Sequence, residues 1–266
     1  MSGILYLLPV PIADGDPKDE LAPKVIRAIQ GIRDFIVENE RSARRVLSKI
    51  LPQESLDASR FFLLDEHTPL DDVPALLAPL LSGRDAAIMS EAGSPCVADP
   101  GATLVAAAFR ADIQTIPLAG PSAILMAIMA SGLGGQHFSF KGYLPQDASG
   151  REAALRDMEQ RSAKEGSTQA FIETPYRNDA VALSAAKALK ADTIFCAAIG
   201  LSTPRERILR MSAMEWRKSP PTIGKIPTVF LLLAHKEASP RPEQGARRGQ
   251  GTTNATPGPS SRKRRA

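Results

Sequence analysis

Ser90-Glu91-Ala92-Gly93-Ser94-Pro95-Cys96-Val97-Ala98-Asp99-Pro100-Gly101 separates an apolar run, Ala86-Ala87-Ile88-Met89, from a helical one, Thr103-Leu104-Val105-Ala106-Ala107-Ala108-Phe109. A strand that breaks into small residues and proline and restarts as a helix places a loop at the strand's carboxyl end. In open α/β sheets ligands bind there. Gly93 permits backbone angles closed to other residues and lets a ligand approach the main chain. Asp99-Pro100 reads as a helix start, with Asp as N-cap and Pro at the first helical position. Two readings stay open: a plain β-to-α connection, or a rigid pocket wall flanked by Glu91 and Asp99.

Working outward, the same design recurs. Ile4-Leu5-Tyr6-Leu7-Leu8 reads as a buried strand ending at Pro9-Val10-Pro11, with a turn at Asp14-Gly15-Asp16. Phe35-Ile36-Val37 and Phe61-Phe62-Leu63-Leu64 are further strands, followed by Glu38-Asn39-Glu40-Arg41 and Asp65-Glu66-His67-Thr68. Val73 to Leu81 reads as a helix containing Pro74 and Pro79, and Ile113 to Pro117 as a strand. This alternation predicts a parallel sheet with helices on its faces. Gly120-Pro121-Ser122-Ala123 opens the apolar helix from Ile124 to Met129, either as a plain cap or as a second close-approach site.

A second α/β unit follows. Its predicted strands are Phe138–Phe140, Gln169–Ile172, Thr193–Ile199, a stretch from Arg205 to Met211, and Thr228–Leu233. Leu144 to Gly150 reads as a loop and 151–161 as a charged helix. The expected fold class is therefore α/β, with domains at 1–118 and 119–235. A Pro-, Gly-, Ser- and Arg-rich tail at 236–266 is expected to be disordered.

Charge is unevenly placed. The whole chain of 266 residues carries +4, with a pI near 9.2. Residues 236–266 hold eight Lys/Arg and two acids, leaving 25 basic and 27 acidic residues before them. The body is close to neutral, so the pI alone says little about nucleic acid. Mean hydropathy is −0.12, and no apolar run approaches the roughly 20 residues of a membrane helix. Cys96 and Cys196 form no CxxC pair, and three His give no zinc pattern, so no metal is expected. Without a secretory signal, a reduced cytoplasm is the expected location, with no membrane partner.

The loops at 9–16, 38–41, 65–68, 90–101, 120–123 and 173–177 gather on one edge of such a sheet, and the two halves face each other across a cleft. GxGxxG, P-loop and GxSxG signatures are absent. Spacing alone thus reaches a two-domain α/β protein with an interdomain pocket.

Taken together, six segments in order resemble the tetrapyrrole methylase superfamily of S-adenosylmethionine-dependent methyltransferases. They are Leu5–Pro11, Phe35–Glu38, Ser90–Gly101, Pro117–Ala123, Phe140–Pro145 and Glu173–Arg177. Within it they look most like the branch of ribosomal RNA small-subunit methyltransferase I and its short relatives. The resemblance implies two α/β domains, a homodimer, and the cofactor in the cleft. By motif, Pro9 would line the pocket floor, while Ala92, Gly93, Ser94 and Val97 would hold the methionine part. Ser122 and Ala123 would contact it from the second domain, and Ile172, Ala198, Pro227 and Thr228 would surround the adenosine. In-line methyl transfer depends mainly on positioning and on excluding water. A base helps where the acceptor is a hydroxyl, and Glu91 and Glu173, then Glu38 and Asp14, are the candidates.

The chain departs from that branch at three places. Glu91 stands where Asp is usual, Glu38-Asn39-Glu40-Arg41 replaces Glu-Asp-Thr-Arg, and Gly224-Lys225-Ile226-Pro227 replaces a Lys-Gly-Glu sequence. Three functions stay open: 2′-O-methylation of ribosomal RNA, with RNA met by the cleft and the basic tail; methylation of a small tetrapyrrole-like molecule; and non-catalytic cofactor binding.

Overall fold

Buried Leu5, Ile36 and Ile88 face one side of a sheet whose other side carries buried Phe35, Val37, Ala87 and Met89. Apolar packing on both faces is the mark of a parallel sheet covered by helices. A computed structural model describes residues 1–235. The expected disordered tail lies outside the described residues. In chain order the first half comprises β1 (Leu5–Leu7), α1 (Pro17–Glu20), α2 (Pro23–Ala28), β2 (Asp34–Val37), α3 (Glu40–Leu47), α4 (Gln53–Asp57), β3 (Arg60–Leu63), α5 (Ala78–Leu81), β4 (Ala86–Met89), α6 (Gly101–Arg110) and β5 (Thr115–Pro117). The strands lie in the order β3-β2-β4-β1-β5, all parallel.

Residues of α2 to α4 pack on the face of Phe35 and Met89, and those of α5 and α6 on the face of Ile36 and Ile88. The helix expected over 73–81 is instead a 3-10 segment, Leu70–Leu77, running into α5. Pro74 lacks the N–H that an α-helical turn needs, which explains the tighter winding.

The second half contains α7 (Ala123–Ser131), β6 (Phe138–Tyr143), α8 (Ala148–Glu165), β7 (Thr168–Glu173), α9 (Asn178–Ala188), β8 (Ile194–Ile199), β9 (Arg207–Ser212), α10 (Ala213–Lys218) and β10 (Thr228–Leu233). Its sheet runs β6-β7-β10-β8-β9 and is mixed: only β6 and β7 pair in parallel. The all-parallel expectation therefore holds for the first sheet alone. The cause is visible between Ile199 and Arg207, where the link is too short for a parallel crossover and the chain must reverse. The helix expected at 151–161 also extends to 148–165. Asp147 caps its start by accepting the Gly150 N–H at 2.7 Å, and Gly166 ends it in the left-handed region.

Phe171, Phe195 and Phe230 stack across β7, β10 and β8, with Trp216 edge-on to Phe195. The buried indole donates to the Phe195 carbonyl at 3.0 Å, so no polar atom of this aromatic core is orphaned. On the opposite face α7 lays Ala127 and Ile128 over Ala198, Val229 and Leu231, and Ile12 from the loop after β1 joins that cluster. Ile12 thereby seats the first β-to-α loop against the second sheet. The described residues form one compact unit.

Candidate functional site

The loop from Ser90 to Gly101 is strained. Gly93, Cys96 and Ala98 all lie in the left-handed region, with φ of 72°, 68° and 63°. The two non-glycine residues cost free energy there, and such strain clusters at functional sites. Asp99 holds the conformation: its carboxylate accepts the Cys96 N–H at 2.7 Å and the Gly101 N–H at 2.8 Å. The helix itself begins one residue later than expected, at Gly101 with Pro100 as N-cap, so Asp99 braces the loop from outside the first turn. Val10 and Gly93 exchange both backbone hydrogen bonds, at 2.9 and 3.1 Å, which binds this loop to the loop after β1. The Ser94 hydroxyl donates to the Pro121 carbonyl at 3.0 Å, binding it also to the approach to α7.

These ties enclose a cavity of about 500 Å³. Ala92, Gly93, Ser94 and Val97 line one side; Ser122 and Ala123 approach at the start of α7; Ile172, Ala198, Pro227 and Thr228 come from the second sheet. Ten of the eleven residues matched to cofactor binding are thus brought together. Pro9 is the exception. It is buried outside the lining, and its ring fills the space where a side chain on Gly120 would stand, 2.3 Å from an ideal Cβ. The floor is made by Ile12, Leu201 and Val229 instead. Ser122 is the N-cap residue of α7 but makes no side-chain cap hydrogen bond, and it lines the cavity.

A second hollow, of about 940 Å³, adjoins the first and shares Glu91, Ala98, Tyr143 and Glu173 with it. Its wall is acidic: Glu38, Asp65, Glu66, Glu91, Asp99 and Glu173 face it, against Arg177 and His67. Tyr143 and Tyr176, 57% and 72% exposed, stand at its mouth. Three of the four base candidates, Glu91, Glu173 and Glu38, are here. The Glu91 carboxylate accepts the Ser42 hydroxyl at 3.0 Å, and the Glu91 N–H donates to Glu38 Oε1 at 3.2 Å. Glu173 is buried: its Oε1 accepts the Thr174 N–H at 2.8 Å, while Oε2 takes no hydrogen bond and meets only Arg177 Nη2, as an ion pair at 3.2 Å. Burial, then Asp99, then Glu91, push the Glu38 carboxyl above the usual carboxylate range, against the Glu91 N–H. Burial also raises Asp99 against the three backbone N–H groups it accepts, and Asp99 adds to the burial that lifts the Cys96 thiol to about 12. Asp14 stands apart, in a third groove. Tyr143 lies in a recognised segment that gives it no role, and Asp65 and Glu66 are legible in the sequence only as a loop.

Arg45, Lys49 and Arg205 line that third groove, and Arg41 lines a hollow that shares Arg45 with it. Among the described residues no three His, Cys, Asp or Glu are grouped as a metal site, and no helix is long and apolar enough to cross a membrane.

Fold and site together define an α/β protein with a cavity between two sheets, next to a carboxylate-walled chamber. The chain belongs to the tetrapyrrole (corrin/porphyrin) methylase family, whose sequence profile matches residues 5–216. Ribosomal RNA small subunit methyltransferase I of Streptococcus pyogenes is 35% identical over 178 residues, 66% of this chain and 57% of that protein. The protein of the same name from Vibrio cholerae is 33% identical over 175 residues, 65% and 56% of the two chains. This chain therefore spans a little over half the length of those relatives. Among solved structures, the methyltransferase CobJ aligns with a TM-score of 0.59 at 20% identity, covering 88% of this chain and 95% of its own. Uroporphyrin-III C-methyltransferase of Thermus thermophilus, complexed with S-adenosylhomocysteine, aligns at 0.52 with 14% identity, covering 87% and 97%. Both likenesses concern the fold.

Proposed function

We propose that this chain is an S-adenosylmethionine-dependent methyltransferase that 2′-O-methylates ribosomal RNA. The observation that carries this is the meeting of ten motif residues around one cavity that opens into a carboxylate-walled chamber. The residues fit the cofactor. Small side chains at Ala92, Gly93, Ser94, Ala123 and Ala198 leave a space within the range of ligand pockets. When bound, the cofactor supplies a methyl group already activated on a sulfonium. The chain has then to orient the acceptor, exclude water and take a proton.

Glu38 is the carboxylate best placed for that proton. It faces the chamber and accepts only one backbone N–H, and burial, then Asp99, then Glu91, raise its proton affinity above that of an ordinary carboxylate. Glu91 and Glu173 act as positioning groups: one is engaged by Ser42 and the other by Thr174 and Arg177. The names and identities of the relatives support RNA as acceptor. The test is incubation of the full chain with methyl-labelled cofactor and unmodified ribosomal RNA from both subunits. Label is expected in the RNA, and its absence from both would overturn the substrate.

The acidic wall favours a second reading, a small neutral or cationic acceptor, because six carboxylates repel phosphate. In that case label would appear in a small molecule and added RNA would not compete. Two features support further parts of the reading. Leu125 and Met129 of α7 are 53% and 80% exposed, as a homodimer contact would require, and sedimentation should give twice the chain mass. The unpaired thiols Cys96 and Cys196 accord with a cytoplasmic site of action. Residues 1–118 and 119–235 are then the two domains that close on the cofactor.

A further inference from the structure

If RNA is the acceptor, its phosphates need a place that the chamber denies them. The chamber presents six carboxylates against one arginine and one histidine. Another hollow that adjoins the cofactor cavity is different. There a groove of about 450 Å³ runs between the loop after β1, the helix α3 and the β8–β9 turn, and it shares Ile12, Glu91, Leu201 and Pro227 with the cavity. Arg45, Lys49 and Arg205 line it, and a hollow of about 540 Å³ beside it is lined by Arg41, Ser42 and Arg45.

Arg41 and Arg45 are four residues apart, on one face of α3, and Lys49 follows in the turn beyond it. All three are exposed, as is Arg205. Arg41 and Arg205 form no ion pair among the described residues. Arg45 faces only Asp14, 3.6 Å away and 93% exposed, and Lys49 donates to the Gly15 carbonyl at 2.5 Å. By contrast, Arg44 of the same helix is already paired with Glu40 at 2.7 Å and lies over the Phe61 ring. On α3, therefore, Arg41, with no ion pair, and Arg45, with only the exposed Asp14, line the groove or the hollow beside it, whereas Arg44 is engaged elsewhere.

We propose that this groove carries the phosphate backbone of the acceptor RNA, with Arg41, Arg45, Lys49 and Arg205 as its phosphate ligands; the inference rests on the RNA reading above. Phosphate contacts fix where a strand lies without reading its sequence. A strand seated here passes beside Glu91, at the junction of cavity and chamber, so one of its nucleosides enters between carboxylates while its phosphates stay among arginines. Asp14 competes with the strand for Arg45.

The test is filter binding of in vitro transcribed small-subunit ribosomal RNA to the full chain, with S-adenosylhomocysteine present, between about 50 and 200 mM salt. The double variant Arg41→Ala/Arg205→Ala is expected to bind roughly tenfold more weakly. The slope of log K against log salt should fall by about 1.4, or about 0.7 for each phosphate no longer neutralised. Asp14→Asn should bind tighter, by about two- to threefold, because a competing charge is gone. Loss of positive charge elsewhere, in Arg156→Ala/Arg161→Ala on α8, should change neither quantity by as much. Calorimetric binding of S-adenosylhomocysteine should be the same in all variants. An unchanged slope in the groove variant, or an equal loss in the α8 variant, overturns the groove and leaves the RNA reading standing. A wild-type chain that binds S-adenosylhomocysteine but no RNA overturns both.

Discussion

Glu38 shows how one side chain here is asked to do two opposed things. Its folded pKa lies above the ordinary value near 4.5, so folding disfavours its charged form. The sign follows: stability is greatest when Glu38 is protonated and declines as pH climbs from about 4.5 through the raised pKa. Glu38→Gln keeps an acceptor for the Glu91 N–H and removes the charge. Urea unfolding should find it more stable than wild type at pH 7 and equal to it below about pH 4, while methyl transfer falls by about 100-fold or more and loses its rise with pH. A variant with wild-type transfer would remove Glu38 as the base. Asp34 is the converse. It is buried, but Arg60, at 2.5 and 2.7 Å, and Arg84, at 3.0 Å, outweigh that burial and hold its carboxyl below the usual range. Asp34→Ala removes the carboxylate between two half-exposed arginines, which water still solvates, and should lose about 1 kcal/mol at pH 7 in denaturant titration. That difference persists above about pH 3.8 and shrinks as pH falls through the lowered pKa. The altered acidic motif reads differently once these neighbours are known. Asn39 caps α3 by accepting the Ser42 N–H at 3.1 Å, work that an Asp does equally well, and Glu40 is taken up by Arg44.

The segment before β10 is held by a residue that no motif marks. Asn178, fully buried at the start of α9, donates to the carbonyls of Gly224 and Ile226 at 2.9 and 2.7 Å. It thereby fixes Pro227 and Thr228 at the cavity. Asn178→Ala leaves those carbonyls short of a donor and should cost about 2 kcal/mol of stability, with S-adenosylhomocysteine bound roughly tenfold more weakly by calorimetry. Unchanged affinity would mean that the segment holds its shape without the amide. Elements differ in how far their neighbours in sequence announce them. The parallel sheet is legible because Leu5–Leu8, Phe35–Val37 and Ala86–Met89 are short apolar runs separated by helical spacing. The antiparallel strands are not, because direction is set by the link from Ile199 to Arg207 and not by composition. Left-handed backbone at Cys96 and Ala98 is hidden for a similar reason: Asp99 imposes it, and nothing in those side chains asks for it. Pro9 belongs to the pocket by motif, yet its ring serves the packing against Gly120.

In the molecule as a whole, the cofactor cavity draws walls from both sheets, and this sets how unfolding should respond to ligand. Gly93 and Ser94 extend from the first, while Ile172, Ala198 and Thr228 belong to the second. The approach of the two halves is legible as loops sharing an edge. The sign of each opening is not, since Asp65, Asp99 and Glu173, or Arg45 and Arg205, meet only after folding. A ligand that touches one half alone would stabilise that half and leave the other to unfold at its own temperature. A ligand clasped by both, in a chain that forms one compact unit, moves the whole transition. S-adenosylhomocysteine at about 100 times its dissociation constant should add about 2.7 kcal/mol, equivalent to roughly 5–10 °C for a chain of this size. Scanning calorimetry is therefore expected to show a single endotherm that shifts upward intact. A ligand that splits the endotherm, moving one component past a stationary other, would place the cavity within one half and sever it from the groove and chamber that adjoin it.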